Sequence, residues 1–200
     1  MIFKANIKDF KQDNLDLLKM SLACDLSEII KGAFKEGKDI AFVCVGTNKV
    51  GFDAFGPIIG TNIKEQLSFM PNIKVYGEID NNINALNANK KIKFIKEKEQ
   101  NSVIIAIDAK AVLNIGNLGS IRLSKESLLP GAGNNKKIES VGDYSITLSS
   151  CLATRKDNKY KLDMKTTLDN KDIFYAVNVV MESLNMAADS VISHMLKELA

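Results

Sequence analysis

The sequence predicts an α/β fold, a three-layer α/β/α arrangement around a mostly parallel open sheet. Two observations carry this. Ile40-Ala41-Phe42-Val43-Cys44-Val45 is apolar at every position between Asp39 and Gly46, as expected of a strand covered on both faces. Strand-length apolar runs then alternate with helically spaced segments, the pattern of strands joined by crossover helices.

The elements follow in order. Leu15, Leu18, Leu22, Leu26 and Ile29 recur at helical spacing and predict a helix over 12–36. Gly37 suits its left-handed C-terminal cap. After the strand 40–45, residues 46–56 read as a loop. A helix is expected from Pro57 to Phe69, because proline favours the first helical position and the chain reaches Pro71 soon after. Asn72 to Ile79 gives a second strand. Asp80 is a candidate cap for a helix through Ala85, Leu86 and Ala88. A third strand, Val103 to Ile107, ends at Asp108. Ser120 to Leu123 and Tyr144 to Leu148 read as further strands, and 155–171 is polar with no element assigned. A final helix over 172–198 carries Phe174, Val177, Met181, Leu184, Ala188, Val191 and Met195 on one stripe.

Two hundred residues with 46% hydrophobic and 26% charged side chains fit one ordinary globular domain over 1–200. Its motif-bearing part is 40–148, with the two terminal helices packing on the sheet. No run approaches the roughly 20 apolar residues of a bilayer span, and no secretory leader is evident, so a cytoplasmic location is expected. A net charge of +3 with interspersed signs argues against a nucleic-acid partner. The run Lys90 to Gln100 reads as a solvated helix end. Cys24, Cys44 and Cys151 form no metal-type spacing and read as free, packed thiols in a reducing compartment.

In open α/β sheets, ligands bind beyond the carboxyl ends of strands where the strand order reverses. Asp53, in the loop leaving the first parallel strand, and Asp108, ending the third, meet that requirement. If those strands are neighbours, both carboxylates reach one crevice, because adjacent strands lie about 4.8 Å apart. Such carboxylates titrate as a coupled pair. One could activate a water while the other, protonated, polarises a carbonyl. The same two could hold a divalent cation, or simply cap a helix and close a turn. The segment Gly46 to Gly56 matches neither a dinucleotide fingerprint nor a P-loop. Pro130 to Lys137 reads either as a loop over a substrate or as a plain turn with solvated lysines. His194 is the only histidine, and its place on the last helix argues against a nucleophile–histidine mechanism. Ser149, Ser150 and Cys151 have no evident base and read as structural.

Four ordered blocks, FVCVGTNKVGFDAFGPIIGTNI, VYGEIDNNINALN, VIIAIDAKAVLNIG and LLPGAGNNKKIESVGDYSIT, resemble the YyaC-like sporulation family (DUF1256). That family looks like a shorter relative of the spore germination protease, an atypical aspartic peptidase that degrades small acid-soluble spore proteins. More distantly it resembles the hydrogenase maturation proteases, which share the α/β/α fold. The resemblance implies catalytic aspartates at Asp53, in Asp53-Ala54-Phe55-Gly56-Pro57, and at Asp108, in Ile107-Asp108-Ala109. It implies a substrate cleft with Thr47, Gly56, Pro130, Gly131, Gly133 and Lys136. This sequence departs from the family at Phe55, where a smaller or aliphatic residue is usual. It departs also at Asn48 and Phe52, where Asp and Gly are usual, and in the loop Gly131 to Lys136. No histidine matches a nickel-sensing position.

The expected function is a spore peptidase acting on a protein or peptide such as a small acid-soluble spore protein. No cofactor is expected, a divalent metal at Asp53 and Asp108 being the alternative. The competing readings are an inactive binding or regulatory protein of sporulation on the same fold, and a metal-dependent hydrolase. No membrane partner is expected. The apolar stripe of the last helix suits either self-association or burial in a monomer.

Overall fold

Alternation along the strands decides which layer each side chain joins. Ile40, Phe42 and Cys44 enter one core cluster, while Ala41, Val43 and Val45 enter another on the opposite face. Successive side chains of a strand point to opposite faces, so the unbroken apolar run is a strand with a helix layer on each side. The computed structural model describes residues 1–8, 12–130, 138–156 and 159–198.

The described elements are β1 (Phe3–Asn6), α1 (Gln12–Lys35), β2 (Asp39–Cys44), α2 (Phe55–Gln66), β3 (Ile73–Tyr76), α3 (Ala88–Lys98), β4 (Ser102–Val112), β5 (Ser120–Ser124), β6 (Tyr144–Lys156), β7 (Lys159–Thr167) and α4 (Asn170–Glu198). The strands form one seven-stranded sheet in the order β1-β5-β6-β4-β2-β3, with β7 added on β6. Pairings β2–β3, β2–β4 and β4–β6 are parallel; β1–β5, β5–β6 and β6–β7 are antiparallel. The sheet is therefore mixed rather than mostly parallel. Parallel pairing of consecutive strands needs a crossover element, and among the described residues helices intervene only as far as β4.

Side chains of α1, α2 and α4 join the first cluster, which includes Leu22, Leu26, Ile59, Ile63, Val180 and Leu184. The other face is covered by α3, through Ala88, Ile92 and Ile95, with Leu128, Ile138 and Val141. Helices α2 and α3 thus lie on opposite faces, and their crossovers diverge from β2: the chain goes to β3 on one side of it and returns to β4 on the other. The strand order reverses between β2 and β4. Gly37, with φ +67°, ends α1 in the left-handed region, as the sequence predicts.

Several expectations are corrected. The second helix starts at Phe55 with Ala54 as its N-cap, so Pro57 is its third residue; the first four N–H groups of a helix have no partner within it, and proline is harmless there. Asp80 lies in a short 3-10 turn, and Asn87 is the N-cap of α3, so the lysine-rich run is the helix itself. β4 does not end at Asp108 but runs on to Val112, because β6 continues beside it as far as Leu152. The segment left without an element contains β7, paired with β6 from Cys151 to Lys156. On α4, Phe174 is 56% and Met195 45% exposed; the stripe is buried between Ile173 and Val191. Cys24 is exposed, while Cys44 and Cys151 are buried.

Candidate functional site

A glycine-dependent backbone arrangement builds the crevice at the β2–β4 switch point. Gly46 leaves β2 with φ +135°, and a Cβ there would lie 2.2 Å from the Asp53 carbonyl oxygen. Only glycine lets the chain fold back this closely. The Thr47 N–H donates to the Asp53 carbonyl oxygen at 3.1 Å, which closes the loop on itself. Gly56 does the same work one turn later. A Cβ there would come within 2.1 Å of the Val45 oxygen and 3.0 Å of the Ile107 oxygen, so the first turn of α2 rests directly on the strand ends.

This packing brings Asp53 and Asp108 to one cavity of about 500 Å³, also lined by Pro130. Strands β2 and β4 are indeed adjacent, with Cys44 opposite Ile107. Burial raises the Asp53 carboxyl to about 6, partly countered by the Thr47 N–H. Asp108 is 8% exposed. Burial, and then the negative charge of Asp53, push its carboxyl well above the usual carboxylate range, against the Ala109 N–H and Lys110. Neither aspartate side chain is a helix cap: the caps of the flanking turn and of α2 make no side-chain hydrogen bond. Both environments therefore favour the protonated carboxyl, and at Asp108 the charge of Asp53 adds to burial in doing so.

The other residues selected from the sequence divide. Thr47 and Gly56 do not border the cavity; they position Asp53 and the base of α2. Gly131, Gly133 and Lys136 lie outside the described residues. His194 faces Glu198 at 3.2 Å on α4, away from the cavity. Phe55, one departure from the family pattern, is fully buried in the core, whereas Phe52 lines the cavity.

Two cations in the cavity wall escape sequence reasoning. Lys110 follows Asp108 on β4, and Arg122 lies in the same row of the sheet as Asp108, both being opposite Thr147 of the intervening β6. Two strand spacings separate Arg122 from Asp108, about 10 Å. Arg122 Nε has no hydrogen-bond partner among the described residues. Burial, then the Arg122 charge, lower the Lys110 ammonium from its ordinary value. Ser150, Cys151, Tyr160 and Leu162 also line the cavity. The alternation Tyr160-Lys161-Leu162-Asp163-Met164 is the strand signal that could have revealed the last two. Among the described residues, no group of three or more His, Cys, Asp or Glu side chains is placed to hold a metal ion.

A family model described as "Protein of unknown function (DUF1256)" matches residues 16–180. The chain belongs to that family. It is similar to a protein of Bacillus subtilis (strain 168) described as "Uncharacterized protein YyaC", with 34% identity over 110 residues. The match covers 55% of this chain and 52% of the relative, so the chain spans about half the length of the curated relative it matches. Among the described residues no helix is long and apolar enough to cross a membrane.

Proposed function

We propose that this DUF1256 protein is a peptidase of the sporulating cell, using Asp53 and Asp108 to hydrolyse a peptide bond. The observation that carries the reading is the convergence of two carboxylates, from separate crossover units, on one cavity at the reversal of strand order. Their unequal environments suit unequal roles. Asp53, ionised at neutral pH, takes a proton from a water as its oxygen attacks the peptide carbonyl carbon. Asp108, still protonated, gives its proton to the carbonyl oxygen, leaving a neutral tetrahedral diol. Asp53 then passes its proton to the amide nitrogen as the C–N bond breaks. One diol hydroxyl returns its proton to Asp108 as the new carboxylic acid forms, and both aspartates recover their starting states.

The resemblance to the germination protease supports small acid-soluble spore proteins as substrates and the cytoplasm of the sporulating cell as the location. A second reading, a binding or regulatory protein that has lost the reaction, is favoured by Phe52, whose ring occupies cavity wall where the family pattern has glycine. Incubation of the pure protein with small acid-soluble spore proteins at several pH values, beside Asp53→Asn and Asp108→Asn, separates the two. The peptidase reading requires cleavage by the wild type alone. Folded wild-type protein that leaves every substrate intact, yet retains one stoichiometrically, favours the binding role.

A further inference from the structure

We infer that the open edge of β4, from Ala109 to Val112, seats the substrate polypeptide, which binds there in extended form as an added strand. This rests on the peptidase reading of the cleft and adds the conformation in which the substrate enters it.

The two sides of β4 end differently. On one side β6 accompanies it to the pairing of Val112 with Leu152. On the other, β2 last pairs at Cys44 and Ile107, and the Val45 N–H donates to the Ile107 oxygen at 2.7 Å. Beyond that bond, among the described residues, no backbone hydrogen bond reaches β4 from the β2 side. The cavity covers one face of the sheet, through Arg122, Ser124, Ser145 and Thr147, and reaches this vacated edge. On β4 every residue from Asp108 to Leu113 borders it, whereas the face of that strand alone would give alternate residues only.

Backbone direction follows from the ladder. A strand residue turns its N–H and carbonyl to the same side in parallel pairing, and neighbours alternate. Ile107 faces β2. The β4–β6 register shifts between Lys110 and Ala111, and the extra residue is Ser150 of β6, not one of β4. With alternation continued along β4, Ala109 and Ala111 turn their backbone groups to the β2 side, while Asp108, Lys110 and Val112 turn theirs to β6. The Ala109 N–H lies near enough to the Asp108 carboxyl to favour its ionised form, which leaves the Ala109 carbonyl and both groups of Ala111. An unpaired edge of this kind is a template for another extended chain. A folded surface or a small metabolite does not repeat donors and acceptors at strand spacing; an extended polypeptide does. Leu113 and Leu129, 55% and 65% exposed, flank the cavity and offer its side chains apolar contact. A strand added about 4.8 Å from β4 carries its carbonyls past Asp108.

The test is amide hydrogen exchange of the intact protein, alone and with a pool of random-sequence, unstructured decapeptides at millimolar total concentration. A second arm uses the same pool N-methylated at every backbone amide. Exchange at Ala111 should be fast in the free protein, slow at least about tenfold with the first pool, and stay fast with the second. Ala111→Pro removes the outward donor and leaves the β6 ladder intact, a placement that sheets tolerate. It should weaken peptide binding about fivefold or more, the worth of one main-chain hydrogen bond, with an unchanged melting temperature. The inference is overturned if Ala111 is already protected in the free protein, if neither pool slows it, or if the methylated pool slows it equally. Cleavage of the pool is followed in parallel. Protection without cleavage removes the peptidase reading and keeps the added strand; cleavage without protection does the reverse.

Discussion

Asp53→Asn should make this protein more stable at alkaline pH, although it removes a residue assigned to catalysis. An ordinary aspartate ionises near 3.8, whereas burial sets Asp53 at about 6. A folded-state value above the unfolded one means that the native protein binds its proton more tightly. The contribution of Asp53 to native stability therefore falls as pH climbs from about 4 to about 6, and levels off above that. At about 1.4 kcal/mol for each tenfold change in acidity, ionised Asp53 costs the folded state on the order of 1–2 kcal/mol at pH 5 and about 3 kcal/mol at pH 8. An isosteric amide carries no charge and avoids that cost. Urea unfolding at both pH values measures the difference, and the gain over wild type should roughly double between pH 5 and pH 8. For a chain of this length each 1 kcal/mol raises the melting temperature by about 2–4 °C. A variant less stable than wild type at pH 8, by more than at pH 5, would refute the reasoning. It would mean that the fold stabilises the carboxylate as a cap or turn does, and that the site holds no strained charge.

Further outcomes follow from the same geometry. Asp108→Asn should abolish cleavage of a spore-protein substrate and leave the thermal melt at or above the wild-type value, because a buried, proton-holding carboxyl is replaced by its neutral isostere. Wild-type cleavage should rise with pH through about 6, where Asp53 becomes the ionised base; a rate that falls across this range contradicts the assigned roles. Gly56→Ala places a methyl group 2.1 Å from the Val45 oxygen. It should destabilise the protein by more than the ~1–3 kcal/mol of ordinary overpacking, which chemical denaturation would measure. Elemental analysis of protein purified without chelator should find no stoichiometric metal, and added divalent cations should leave cleavage unchanged.

The central strands were legible because their environment is written on every residue: Ile40 to Val45 and Val103 to Ile107 are apolar without alternation, as burial on both faces demands. Asp108 stands out as the first polar residue after such a run, and Asp53 because it lies in the loop that leaves one. The sequence was misleading where partners rather than local pattern decide. The continuation of β4 through Lys110 depends on β6 running on beside it, and nothing near Asp108 signals that. The mixed sheet has the same origin: no local feature of Ser120 to Leu123 tells whether its neighbour runs parallel or antiparallel. Pro57 misled because a proline is tolerated throughout the first turn, not at one position alone. Lys110 and Arg122 join the site through strand register, with Thr147 between Arg122 and Asp108, a relation with no trace in linear spacing. β7 did carry a readable alternation, but its polar residues resembled a loop.

The account stands on Asp53 and Asp108 sharing one desolvated cavity and one proton. Carbon-13 NMR titration of their side-chain carboxyls tests this directly. Asp53 should titrate near 6, Asp108 should stay protonated well above the usual carboxylate range, and Asp53→Asn should bring Asp108 down. Two carboxyls that ionise independently below about pH 4, each indifferent to loss of the other, would contradict it.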